Sequence, residues 1–208
     1  MLRILYRAIA EARMQLRFPF RLFDTSLNLS GEELLDLAAF ATHPTGLTPP
    51  AVKVWTIAAY RKAHPTHSIF IETGTNEGNL MNAVHPLFKD WHTVELDVAL
   101  FDKARRRLRP RGVRCYCGNS PYHLKWILYD LSKPAILWLD AHHLNGEGYN
   151  PLEDELKTLL PHCEQVRHII LIDDARLTTP GALHEIEAFR KLRYKIEMTN
   201  DIWRLIPE

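Results

Sequence analysis

The chain has 208 residues, enough for one substantial core with an appendage, and its 46% hydrophobic and 25% charged content excludes disordered, collagenous and coiled-coil architectures. Lys and Arg total 26 against 25 Asp and Glu, so no global positive field marks a duplex-binding protein. Three cysteines are too few for a disulfide framework, which points to a reduced, cytoplasmic setting.

Residues 1–67 read as helical. Arg3, Arg7, Arg13 and Arg17 are interleaved with Leu2, Ile4, Leu5, Ile9, Met14 and Leu16, an amphipathic pattern. Such a helix can rest on an anionic membrane surface, but more often it packs on its own domain. It lacks the apolar core and cleavage site of a signal peptide, and no stretch approaches the ~20 apolar residues needed to span a bilayer. Ser30 followed by Glu33 predicts a capped helix to about Ala41. Residues 43–50 predict a loop and 51–64 a third helix.

From Ser68 the pattern changes. Apolar runs at 68–74, 92–97, 113–118, 135–140 and 168–174 alternate with helix candidates near 78–88, 98–108, 121–132, 151–161 and 181–192. Runs such as IFI, AILWL and IILI are apolar at successive positions, as strands buried on both faces must be. Ser120-Pro121, Asn150-Pro151 and Thr179-Pro180 each read as a cap residue followed by proline at a helix start. The tail predicts two strands joined by a tight Thr-Asn-Asp turn. The fold class is therefore α/β: a Rossmann-like, mostly parallel seven-stranded sheet with helices on both faces, an antiparallel C-terminal hairpin and a helical N-terminal extension.

Four of the five apolar runs finish in acids: Glu72, Glu95 with Asp97, Asp140, and Asp173-Asp174. Ligands of open parallel sheets bind outside those strand ends. Burying a carboxylate there without a partner is costly, so a row of them implies a ligand carrying donors or positive charge. Each acid taken singly could instead cap the next helix. The first turn, Glu72-Thr-Gly74-Thr-Asn-Glu-Gly78, is not the G-x-G-x-x-G fingerprint, yet its glycines permit a sharp turn and close approach of a ligand. Glu95 follows at the roughly 20-residue spacing of an acid that accepts ribose hydroxyls.

E-x-G-x-x-x-G, V-E-L-D, C-G-N-S, W-L-D-A-H-H and L-I-D-D-A-R, taken at the five strand ends, resemble the successive motifs of class I S-adenosylmethionine-dependent methyltransferases over residues 68–208. Within that class the chain looks most like the metal-dependent O-methyltransferases of the catechol and macrocin-sugar type. The resemblance implies that Glu72, Gly74, Thr75 and Gly78 receive the methionine part of the cofactor. It also implies that Glu95 binds the ribose, and that Asn119 and Ser120 edge the adenine, with Asp140 bordering the cofactor. Many relatives carry Asp where this chain has Asn119. Asp140, Asp173 and Asp174 match the metal ligands, for which Mg²⁺ or another hard divalent cation is implied. His143 holds the position of a basic residue that takes the acceptor's proton; His142 reads as a second catalytic candidate, a further metal ligand or a wall. Either histidine could instead be an ordinary solvated one.

Residues 144–150, with Gly146 and Gly148 around Glu147, read as a lid, and Tyr149 as a substrate contact or an idle loop residue. Cys115 and Cys117 read as packing, as do Trp126, Trp138 and Trp203. The arginines of 104–111 read as a charged helix end. Cys163 belongs to no zinc pattern. The expected function is methyl transfer to a hydroxyl of a small sugar-like or catechol-like molecule, with no nucleic-acid partner and a homodimer as one option. A metal-dependent hydrolase or phosphatase and a non-catalytic nucleotide-binding module are the alternatives. The hydrolase has no use for Glu72, the glycines and Glu95, whereas the methyltransferase uses them all.

Overall fold

A computed structural model describes residues 48–141 and 149–208. Its elements, in chain order, are α1 (Pro50–Ala63), β1 (Ile69–Thr73), α2 (Asn79–Val84), β2 (Asp90–Glu95), α3 (Val98–Leu108), β3 (Arg114–Cys117), α4 (Ser120–Tyr129), β4 (Ala135–Leu139), α5 (Leu152–Cys163), β5 (Ile169–Ile172), α6 (Pro180–Ala188), β6 (Tyr194–Thr199) and β7 (Ile202–Pro207). The seven strands form one sheet in the order β3-β2-β1-β4-β5-β7-β6, parallel except for β7, which runs antiparallel to β5 and β6. The two helices expected within residues 1–41 and the lid residues 144–148 lie outside the described residues. None of the described helices is long and apolar enough to cross a membrane.

Strand alternation sorts the core into two layers. Phe70, Ile136, Trp138, Ile169 and Leu171 pack with Val52, Ile57 and Tyr60 of α1 and with Met81 and Leu108. Ile69, Ile71, Leu137, Leu139, Ile170 and Ile172 face the opposite way, onto Leu124, Leu156 and Ile186 of α4, α5 and α6. Both faces of the central strands are therefore covered, which is why the runs IFI, AILWL and IILI are apolar at every step. Helix α1, grouped by its sequence with the N-terminal extension, sits in the first layer.

Local chemistry explains most element boundaries. Asp97 caps α3 by accepting from the Leu100 N–H at 2.8 Å, and Arg105, Arg106 and Arg107 lie in its last turn, where cations are favoured. β2 accordingly ends at Glu95, two residues before the expected end, because Asp97 belongs to the helix. α2 ends at Val84 and tightens into a 3₁₀ turn at His85–Leu87, where Pro86 can supply no donor for an α-helix. Thr179 caps α6 as expected. At the other two proline starts the roles shift by one residue. Asn119, not Ser120, stands at the cap position of α4. Pro151 is the cap residue of α5, with the Asn150 side chain accepting from the Leu152 N–H at 3.0 Å. The hairpin turn places Asn200 and Asp201 at φ 56° and 59°, the left-handed pair that a two-residue β-turn requires.

Two of the packing assignments are corrected. Trp138 is fully buried, but Trp126 is 55% exposed on the outer side of α4. Cys117 is exposed as well, because β3 is an edge strand and leaves that position without a covering layer.

Candidate active site

The parallel register fixes which residues meet. Thr73 is paired with Val94 on one side and with Leu139 on the other, and Leu139 is paired with Ile172. One step further along each strand, Glu95, Gly74, Asp140 and Asp173 stand level in a row across the carboxyl rim. Alternation turns that row toward the layer occupied by α1. Gly74 is required there: its φ is +78°, and a Cβ would lie 2.0 Å from the Asp140 carbonyl oxygen.

On the β1–β2 side the carboxylates are satisfied locally. Glu95 Oε2 accepts from the Asn76 N–H at 2.6 Å and Oε1 from the Asp97 N–H at 2.9 Å, so one carboxylate holds both loops that border the crevice. Glu72, 1% exposed, accepts from the Thr93 hydroxyl at 2.7 Å, and Thr93 is in turn 2.5 Å from the Thr75 hydroxyl. Burial pushes the Glu72 carboxyl up to about 8 despite the Thr93 hydrogen bond. Asn119 and Ser120 begin α4, and Gly118 ahead of them donates its N–H to the Glu95 carbonyl at 2.8 Å.

On the β4–β5 side Asp140, Asp173 and Asp174 each bring an oxygen within 4.8 Å of the others. Asp173 and Asp174 are buried. Asp174 adopts φ 47°, and its N–H donates to Asp173 Oδ1 at 2.9 Å, which turns the two neighbouring carboxylates toward one place. Three hard oxygen donors converging in this way fit a divalent cation such as Mg²⁺ in donor type.

A residue absent from the motif reading enters this cluster. Lys53 of α1 places its Nζ 3.0 Å from Asp140 Oδ2 and in ion-pair contact with Asp173 Oδ2. The same ammonium lies 5.9 Å from the Trp138 ring centroid, and the Trp138 N–H points at Asp140 Oδ2 from 3.5 Å. Burial pulls the Lys53 pKa down, but the two aspartates outweigh it and the pKa is raised. Burial also pushes the Asp173 carboxyl up to about 7, with Asp140 adding to the rise against the pull of Lys53. Arg176 holds Asp174 at 2.8 Å and also pairs with Asp201 of the hairpin turn. A faint signal for Lys53 is present in the sequence: it is the one charged residue in PAVKVWTIAAY, the stretch of α1 ahead of Arg61 and Lys62. Thr93 carries a similar signal as a hydroxyl inside a buried strand.

The structure thus brings Glu72, Gly74, Thr75, Glu95, Asp140, Asp173 and Asp174 to one rim. Gly78, at φ 75°, serves mainly to let α2 approach Leu108, whose Cδ1 would lie 2.8 Å from an added Cβ. His142 and His143 lie outside the described residues. Tyr149 is exposed and donates its hydroxyl to Asp154, five residues on.

No family model matches the chain, and no curated protein matches it. Solved structures do. A Staphylococcus aureus protein assigned as a caffeoyl-CoA O-methyltransferase is similar at a TM-score of 0.60 and 12% identity, over 99% of this chain and 100% of that one. TomG of Streptomyces achromogenes, an O-methyltransferase of tomaymycin synthesis in complex with SAM, is similar at 0.52 and 15% identity, over 89% of this chain and 94% of its own. An O-methyltransferase from Bacillus cereus in complex with SAH gives 0.50 and 16% identity, over 97% and 99%. At such identities the likeness is one of architecture: the chain has the α/β fold of class I S-adenosylmethionine-dependent methyltransferases.

Proposed function

We propose that the protein is an S-adenosylmethionine-dependent O-methyltransferase acting on a hydroxyl of a small, sugar-like or catechol-like molecule, with a divalent cation such as Mg²⁺ held by Asp140, Asp173 and Asp174. The observation that carries this reading is the level row of Glu95, Gly74, Asp140 and Asp173 on one face of a sheet with the methyltransferase strand order. A hydrolase needs only the acidic end of that row.

Bound at the rim, the cofactor would supply the methyl group, and the cation would hold the acceptor oxygen and favour its ionised form. The chain's own residues do the rest. Glu95 has used one lone pair on each oxygen for loop amides and keeps others for two ribose hydroxyls. Gly74 and Gly78 hold the left-handed bends of the first turn, which receives the methionine part, Thr75 and Glu72 line its floor, and Asn119 and Ser120 border the adenine. Asp140 and Asp173 would hold the acceptor end of the crevice, so positioning of the acceptor oxygen would supply much of the rate. His143 takes the acceptor proton in this reading, with His142 beside it as the second candidate. Residues 68–208 carry the cofactor and cation residues, and α1 packs on them as part of the same core. The setting is cytoplasmic, and the partners are small molecules.

Calorimetric titration with S-adenosylmethionine, with and without Mg²⁺, tests the reading. Micromolar cofactor affinity is expected without metal, and methyl transfer to polyhydroxylated acceptors only with it. Absence of cofactor binding would refute the assignment.

A further inference from the structure

The geometry points to Lys53 as the resident cation of the acidic triad, which a divalent ion must displace in order to bind. This deepens the proposed site and rests on that reading only in taking the three aspartates as a cation-binding group.

Counting charges shows why. Among the described residues, Asp140, Asp173 and Asp174 bring three carboxylates to one place, and Lys53 and Arg176 are the bases paired with them. The two bases are held differently. Arg176 is clamped between Asp174 and Asp201, and Asp201 is fixed in the hairpin turn. Lys53 reaches Asp140 and Asp173 on a flexible four-carbon stem from the first turn of α1, and its side chain is 21% exposed, so it has a way out to water. A Mg²⁺-sized ion needs oxygens at about 2.1 Å. An ammonium already in contact with the same two carboxylates both occupies that volume and repels the incoming charge. Lys53 and the metal therefore alternate at the aspartates. Either way a cation stands at the acceptor end of the crevice, and Asp140 and Asp173 keep a counterion when metal is scarce.

Titration of the full chain with Mn²⁺, followed by the electron paramagnetic resonance of the free ion and without cofactor, reads this directly. Lys53→Met is expected to bind Mn²⁺ at least tenfold more tightly than the parent, and Lys53→Arg to bind no more tightly than the parent. A second measurement uses the parent alone, in case Lys53→Met does not fold. At the Mn²⁺ concentration that saturates it, acylation of Lys53 by an N-hydroxysuccinimide ester, read by mass spectrometry, should rise severalfold while other lysines stay constant. Equal Mn²⁺ affinity in parent and Lys53→Met, uptake by neither, or Lys53 acylation indifferent to saturating metal would overturn the proposal. Cofactor calorimetry on the metal-free parent separates this failure from that of the methyltransferase reading. A protein that binds S-adenosylmethionine yet fails the Mn²⁺ tests loses only the displacement.

Discussion

The two ends of the rim hold their carboxylates by different means. At the β1–β2 end, Glu95 is fixed by backbone amides of the loops beside it and Glu72 by the hydroxyl of a neighbouring strand. At the β4–β5 end, Asp140 and Asp173 are fixed by an ammonium from a helix 87 residues away from Asp140 in the chain. The first arrangement is neutral-donor chemistry and fits a ligand rich in hydroxyls. The second is an exchange between cations and fits an ionic ligand. A single sheet edge thus offers two chemically distinct half-sites, and Gly74, wedged on the Asp140 backbone, joins them.

Substitution at that joint should have the largest effect. Gly74→Val forces a branched Cβ into the Asp140 carbonyl at a left-handed φ, and a loss of roughly 4 kcal/mol is expected from strain and overpacking together. Urea denaturation measures it, and an unchanged midpoint would break the claim that the two halves share this contact.

The charge state of Glu72 comes next. Its folded pKa of about 8 lies above the unfolded value of 4.5, so the folded state keeps a proton that the unfolded chain gives up. Stability from this group is complete below 4.5 and lost as pH rises through 8, so it falls across that window. Glu72→Gln removes the titration. Parent and variant should match near pH 4, and the variant should be the more stable by about 5 kcal/mol at pH 8.5. His92 and His168, pulled down to about 4 and 3 by burial, act in the opposite sense below pH 6.5 and are common to both proteins. A parallel pair of stability curves would sink the assignment.

The division into half-sites is sharpened by a reciprocal pair. Asp140→Ala should lower methyl transfer by about two orders of magnitude while cofactor affinity stays within roughly threefold, because the lost carboxylate serves the acceptor end. Glu95→Ala should weaken S-adenosylmethionine binding about tenfold or more, the value of one to two charge-assisted hydrogen bonds. Its effect on Mn²⁺ binding should be small. Identical profiles for the two variants would merge the halves into one site. Smallest of all, Trp126→Ala on the exposed side of α4 should change stability by less than about 0.5 kcal/mol in thermal unfolding.

Much of the architecture is legible locally. Uninterrupted apolar runs mark strands covered on both faces, and Thr179 ahead of Pro180 marks a helix start. Asn200-Asp201 marks the hairpin turn, since short polar side chains tolerate the left-handed backbone. Acids at the ends of adjacent strands are legible too, because parallel register carries equivalent positions to the same level. Trp126 and Cys117 show the limit of such reading. An aromatic or thiol side chain looks the same in sequence whether its face is covered or not, and only the placement of neighbouring layers settles which.

Sequence by itself determined the sheet, its two-sided burial and the gathering of Glu72, Glu95, Asp140, Asp173 and Asp174 at one edge. All of these follow from alternation and register, which are properties of the backbone. Tertiary structure alone decided what balances those charges: the docking of α1 on Phe70 and Trp138 delivers Lys53 to Asp140 and Asp173, and the closing of the hairpin delivers Asp201 to Arg176. Electrostatic partnership acts through space over a few ångströms, and no spacing along the chain encodes which distant cation arrives there.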